Sequence, residues 1–205
     1  MESEVRARLL GCLREAQRIG AVGPGPLDDQ LTQSLGYAEG PTGGLSGRVV
    51  DLGSGGGLPA VPLACTWPDS TWLLVESWAR RAALLRRVVR ELALGSRVAV
   101  TSARAELVGR GPERGQADVV TARSFGPAAV TLECAAPLLA PGGRVLISVR
   151  ASEPPWPTKG LDAVGLALEA DWRIDRYAYR SLVSTGACSA DLPRRPGVPE
   201  RFPLF

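Results

Sequence analysis

The stretch Val49-Val50-Asp51-Leu52-Gly53-Ser54-Gly55-Gly56-Gly57 limits the possible folds more than any other part of the chain. Its first residues read as a short apolar strand, and the glycines after it admit backbone conformations closed to other residues. A strand that enters a glycine-rich turn and then a helix is a unit of parallel α/β sheets, whose ligands sit at the carboxyl ends of the strands. The residues downstream keep the same alternation. Strands are expected at 48–52, 71–76, 97–101, 118–122 and 144–149, with helices at 58–66, 78–94, 104–108 and 127–139 between them. Helical spacing turns Ala82, Leu85, Val89 and Leu92 to one side of the second helix, while Pro59 and Pro62 fall early in the first, where N–H groups are dispensable. The pattern predicts an α/β fold with a mostly parallel central sheet and helices on both faces. A last helix at 158–170, a strand-like segment at 172–179 and a proline-rich tail follow.

Upstream, Val5, Leu9, Leu10, Leu13 and Ile19 among charged residues predict an amphipathic helix over 2–18. Residues 20–47 are dense in glycine and proline, including Gly23-Pro24-Gly25-Pro26 and Pro41-Thr42-Gly43-Gly44, and read as loop with one short helix near 27–35. The chain divides on this reading into an N-terminal helix and connecting segment (1–47) and a sheet domain (48–205), with the globular core starting at Arg48.

Composition removes several function classes. No apolar run approaches the roughly 18 residues of a membrane span, and charges at Glu2, Glu4, Arg6, Arg8, Arg14, Glu15 and Arg18 deny the N-terminus a signal-peptide core, so a cytoplasmic protein with no membrane partner is expected. Cys12, Cys65, Cys134 and Cys188 form no C-x-x-C pair, and no metal site is expected. The chain contains no histidine, so any catalysis proceeds without imidazole. A net charge of +3 says little about nucleic acid, although the basic residues are nearly all arginine, with Lys159 the sole lysine.

The ligand of the turn follows from two details. A dinucleotide fingerprint needs a third glycine where this chain has Leu58, so that fingerprint fails. Asp51 sets a carboxylate at the end of the first strand, which suits an amino-bearing or cationic ligand better than a pyrophosphate. S-adenosylmethionine, with an ammonium and a sulfonium, meets that requirement. Glu76 ends the second strand, where a carboxylate accepts hydrogen bonds from ribose hydroxyls; the alternative is a cap on the helix that follows Ser77. Arg104-Ala105-Glu106, after the third strand, faces the expected adenine edge.

Together these residues resemble the RsmG (GidB) family of bacterial 16S rRNA guanine-N7 methyltransferases. The resemblance is carried by 50–59, by Val75-Glu76-Ser77-Trp78-Ala79-Arg80-Arg81, by Arg104-Ala105-Glu106 and by 118–125. It continues through Pro137-Leu138-Leu139-Ala140-Pro141-Gly142-Gly143 and the tail Leu192-Pro193-Arg194-Arg195-Pro196-Gly197-Val198-Pro199. It implies a class I, Rossmann-like methyltransferase fold over 48–205 and S-adenosyl-L-methionine as cofactor, with contacts from Gly53, Leu58, Ala105, Glu106 and Arg123, beside Asp51, Gly55 and Glu76, which are expected there from the turn and strand ends themselves. It also implies RNA as partner, either 16S rRNA or the small ribosomal subunit. Arg123 suits the methionine carboxylate or an RNA phosphate. Arg150, Arg194 and Arg195 are the expected substrate contacts, and the arginines of helix 78–94 are either RNA contacts or a solvated face. Trp78, Phe125 and Trp156 are candidates for base stacking. The segment 20–47 carries neither the Asn-Leu-Thr motif nor the histidine stretch usual in the family, and Val149-Arg150 stands where relatives tend to have Lys-Gly. A paralogue acting on another RNA or a small metabolite, and a catalytically silent S-adenosylmethionine-binding protein, are the alternatives. Guanine N7 attacks through a free lone pair, so no general base is named.

Overall fold

The structure is a computed structural model and describes residues 1–41 and 47–205. Most of the expected Pro41-Thr42-Gly43-Gly44 loop lies outside the described residues. Seven strands build one sheet: β1 (Gly47–Leu52), β2 (Ser70–Val75), β3 (Val98–Thr101), β4 (Ala117–Ala122), β5 (Leu139–Val149), β6 (Leu166–Ile174) and β7 (Tyr177–Ser184). Their order is β3-β2-β1-β4-β5-β7-β6. Pairings from β3 through β5 are parallel, and β7 is antiparallel to both β5 and β6. The order reverses between β1 and β4, which opens a crevice at their carboxyl ends.

Successive strand residues point to opposite faces, and the core divides accordingly. Val49, Val119 and Leu146 pack with α1 (Ser3–Arg18), α2 (Leu27–Leu35), α3 (Ala60–Thr66) and α4 (Ala79–Glu91). Val50, Val120 and Val145 face α5 (Ala105–Gly109), α6 (Ala128–Ala135) and α7 (Thr158–Val164). The expected stripe of α4 is buried, with Leu84 and Val88 added to it. Sequence puts the start of the core at Arg48, but packing begins it in α1: Leu9, Cys12, Leu13 and Ala16 are buried in the same cluster as Val49 and Leu85. Each large apolar side chain so removed from water contributes about 1.5–3 kcal/mol, which ties the N-terminal helices firmly to the sheet.

The C-terminal third corrects the expected elements. The helix expected over 158–170 stops at Val164, because Gly165 adopts φ +72 and closes it with a left-handed turn. The strand expected at 172–179 is instead the tip of a hairpin, β6 turning into β7 at Asp175-Arg176 with Asp175 at φ +52. A register shift between Leu168 and Ala170 breaks the alternation of β6 and hides it from periodicity. Likewise β5 begins at Leu139 rather than Arg144, and helix 127–139 becomes α6 followed by a 3-10 turn at Ala136–Leu138. The tail carries one short helical turn, α8 (Val198–Arg201). Among the described residues, no helix is long and apolar enough to cross a membrane.

Candidate active site

The turn after β1 passes through Gly53 at φ +65 and Gly55 at φ +53, conformations that favour glycine. A side chain at Gly53 would come within 2.7 Å of the Phe125 ring. One at Gly56 would overlap Val22 and approach the Ala21 carbonyl oxygen to 3.0 Å. Two neighbours therefore press on the turn: the loop after β4, and the strap of residues 21–22 that joins α1 to α2. Sequence reasoning assigns a ligand contact to Gly53 and Gly55 but none to Gly56, which packing against the strap accounts for.

Glu76, at the end of β2, is only 4% exposed. Its Oε2 accepts the Gly55 N–H at 2.9 Å and its Oε1 accepts the Trp78 N–H at 2.8 Å. The carboxylate pins the turn and caps the entry to α4, yet each oxygen retains acceptor capacity toward the cavity it lines. Asp51 behaves differently. It is 1% exposed, its Oδ1 accepts from Thr121 Oγ1 at 2.6 Å, and its Oδ2 is buried with no partner among the described residues. Burial pushes its carboxyl up to about 7. Asp51 lines none of the three cavities described below, so it lies beneath the turn rather than on a cavity wall.

Three adjoining cavities follow the carboxyl ends of the parallel strands. The first, of about 340 Å³, is lined by Glu76, Trp78, Ala105, Glu106, Phe125 and Glu200 among others. The second, of about 400 Å³, is bounded by Gly53, Gly55, Leu58, Gln33 and Arg123. Arg123 is half-buried and donates to Gln33 Oε1 at 3.1 Å; burial pulls its guanidinium below the usual range. The third, of about 540 Å³, is lined by Phe125, Ile147, Arg150, Glu153 and Trp156. Residues 124–127 separate the first cavity from the third, with Ser124 held at φ +54. Such backbone strain in a non-glycine residue concentrates at functional sites.

The C-terminal tail forms part of the first cavity's wall. Glu106, 3% exposed, accepts from Arg104 at 2.9 Å and from the Gly197 N–H at 3.0 Å. Burial pushes the Glu106 carboxyl up, but these donors outweigh it and hold it below the ordinary range. Arg104 also reaches Glu200 at 3.0 Å. Arg194, expected at the substrate, instead fixes the tail: its Nε and NH2 donate to the fully buried Glu133 at 2.8 and 2.6 Å, and NH2 donates to the Phe202 carbonyl at 2.7 Å. The Nε and Nη2 edge of its guanidinium is occupied in this way, and Arg194 lines none of the three cavities. Arg195 is exposed and also outside them. Arg150 is exposed at the third cavity, with no side-chain hydrogen bond among the described residues.

Residues at or behind the site that escaped sequence reasoning include Gln33, Tyr37, Glu133, Glu153 and Glu200. Gln33 lines the second and third cavities. The buried Tyr37 donates to the Ala122 carbonyl at 2.8 Å and accepts the Ser148 N–H at 2.9 Å, bridging the ends of β4 and β5. Glu133 is the one charged residue of α6, and nothing in the local pattern marks its partner 61 residues away.

With this geometry in place, comparison with known proteins is decisive on kinship. The family model described as "rRNA small subunit methyltransferase G" matches residues 27–153. The chain belongs to the GidB family. Its start at residue 27 brings α2, Gln33 and Tyr37 within the GidB match. Among GidB relatives, a ribosomal RNA small subunit methyltransferase G of Prochlorococcus marinus is 38% identical over 169 residues, covering 77% of this chain and 68% of the relative. That of Salinispora arenicola is 42% identical over 128 residues, covering 61% of this chain and 49% of the relative. The aligned stretch therefore spans from about half to about two thirds of these curated relatives. Solved structures agree on architecture. The crystal structure of P. horikoshii TYW2 in complex with MeSAdo superposes with a TM-score of 0.62 at 14% identity, covering 80% of this chain and 65% of that one. An O-methyltransferase family protein from Burkholderia thailandensis gives 0.59 at 20% identity, covering 74% and 55%. At those identities the likeness concerns the fold, a class I methyltransferase fold.

Proposed function

We propose that this GidB-family chain is an S-adenosylmethionine-dependent methyltransferase acting on N7 of a guanine in 16S rRNA, in the cytoplasm. The observation that carries the reading is the crevice between β1 and β4, where a buried acceptor, Glu76, and a desolvated cation, Arg123, flank the glycine turn. That donor set fits the cofactor's chemistry. Glu76 suits ribose hydroxyls, and Ala105 and Glu106 flank the cavity where adenine would lie. Gly53, Gly55 and Leu58 leave room beside Arg123, whose fork suits a carboxylate. Asp51 holds the turn from below through Thr121 and β1. When bound, S-adenosylmethionine supplies an electrophilic sulfonium methyl.

The residues of the chain then have positioning to do, not proton transfer. Guanine N7 has an exposed lone pair, so a histidine-free site meets the demand of the reaction. Residues 124–127 stand between the first and third cavities, and the third is open to a base with Arg150 beside it. Phosphate contacts fall to Arg150, Arg195 and the arginines of α4, since Arg194 is held by Glu133. Residues 48–205 would then be the methyltransferase domain and 1–47 its N-terminal cover. Calorimetric titration with S-adenosylmethionine tests cofactor binding, and absence of heat with folded protein refutes the reading. Mass mapping of 16S rRNA with and without the gene tests the substrate: loss of one N7-methylguanosine is expected, and an unchanged level discards the rRNA assignment.

A further inference from the structure

Glu153 projects from the loop after β5, on a stretch with no regular secondary structure, yet it is held by a chain of contacts that begins in the core. Asp171 and Arg180 pair across β6 and β7, and the Arg180 guanidinium, 3% exposed, takes both Asp171 oxygens at 2.8 and 2.9 Å. The same guanidinium donates to the Pro154 carbonyl at 3.2 Å and lies 4.5 Å from the Trp156 ring centroid. Trp156 Nε1 in turn donates to Glu153 Oε1 at 3.0 Å. A buried arginine thereby fixes an aromatic side chain, which fixes a carboxylate. Support of that kind is what a recognition group requires and what a loop glutamate ordinarily lacks. Glu153 Oε2 has no hydrogen-bond partner among the described residues, and the residue lines the third cavity with Phe125, Ile147 and Arg150, as well as a neighbouring cavity with Asp171 and Arg180.

We infer that Glu153 is a specificity-determining residue that reads the Watson–Crick edge of guanine, with Trp156 and Arg180 as its positioning residues. This rests on the guanine-N7 reading above. Guanine alone among the four RNA bases presents two adjacent donors, N1–H and the N2 amino group, and a carboxylate accepts from both. Adenine and cytosine each set an acceptor beside their amino group, and uracil sets its one N–H between two carbonyls. Unpaired acceptors facing a carboxylate are rejected strongly, because charge and lone pairs meet without a proton between them. N7 lies on the far side of the purine from N1 and N2, so a base held by Glu153 keeps N7 free to face the shared wall at 124–127. Arg150, on the same cavity, suits the phosphate of that nucleotide.

The test compares GMP with IMP, which lacks only the N2 amino group, binding to the full chain saturated with S-adenosylhomocysteine, at concentrations up to about 10 mM. GMP should bind about 10- to 100-fold tighter than IMP. Glu153→Gln keeps an oxygen for Trp156 Nε1 and loses the second acceptor, so it should bind the two nucleotides alike, with an unchanged melting temperature and S-adenosylhomocysteine affinity. Glu153→Asp should restore part of the preference. Equal binding of GMP and IMP by the wild type, no GMP binding over that range, or a preference that survives in Glu153→Gln overturns the inference. Guanine preference that follows Glu153, without any methylguanosine formed in rRNA, supports the inference and refutes the rRNA reading on which it was built.

Discussion

Replacing Arg194 with methionine should loosen the C-terminal tail and destabilise the fold by about 3 kcal/mol. The figure follows from the partner. Glu133 is 0% exposed and receives three bonds from Arg194, two from the guanidinium and one from the backbone N–H at 2.9 Å. Removing one side of a buried pair costs about 3–5 kcal/mol, because the remaining charge has lost its compensation. The surviving N–H bond keeps the expectation at the lower end. For a chain of this length each kcal/mol moves the melting temperature by about 2–4 °C, so a fall of roughly 6–12 °C is expected in scanning calorimetry. Urea titration should give the same loss as a lower midpoint with little change in slope. S-adenosylmethionine should also bind more weakly, since Gly197 and Glu200 hold Glu106 and Arg104 at the first cavity. The double variant Glu133→Leu, Arg194→Met should recover most of the stability, as an apolar pair replaces the ionic one. A single variant within about 1 kcal/mol of wild type would refute the view that Arg194 is a structural clamp.

Asp51 makes stability depend on pH in a definite direction. Its folded value of about 7 lies above the ordinary 3.8, so its contribution is complete below about pH 4 and is lost as pH rises through 7. Relative to Asp51→Asn, the wild type should lose a few kcal/mol between those limits, at about 1.4 kcal/mol per pH unit; parallel urea-derived stability curves would contradict it. Gly56→Ala should destabilise by about 1–3 kcal/mol through overlap with Val22, and Val22→Ala in the same chain should relieve much of that. Additive effects in that double mutant would remove the strap from the explanation. Tyr37→Phe should cost about 1–2 kcal/mol by stranding the Ala122 carbonyl and Ser148 N–H, read as a lower urea midpoint.

The five strands from β1 to β5 were legible because each is a short apolar run bounded by turn residues, and because alternation with helices leaves few other arrangements. The closing hairpin was not. Its two-residue turn, Asp175-Arg176, contains no glycine, and the bulge at Leu168–Ala170 interrupts the period of two. The positions of Glu76 and Arg123 were legible because each is the first residue beyond a parallel strand's carboxyl end, where the chain turns along the crevice. Asp51 lies one residue inside β1, and Thr121 on the paired strand holds it under the turn. The partner of Arg194 was hidden for a related reason: a run of arginine and proline looks solvent-facing until Glu133, from a helix far away in sequence, is known to be buried against it.

Tyr37 bears on the width of the site. Ala122 pairs with Ile147 at the last rung of the β4–β5 ladder, and immediately beyond it the tyrosine hydroxyl stands between the Ala122 carbonyl and the Ser148 N–H. One oxygen atom takes the place of the next backbone rung between the two parallel strands. The cavity lined by Ala122, Ile147, Ser148 and Val149 opens at that parting. The mouth of that cavity is therefore gauged by a residue from the N-terminal segment. A lesion in that N-terminal segment would present as impaired substrate entry, although the damaged side chain touches neither reactant.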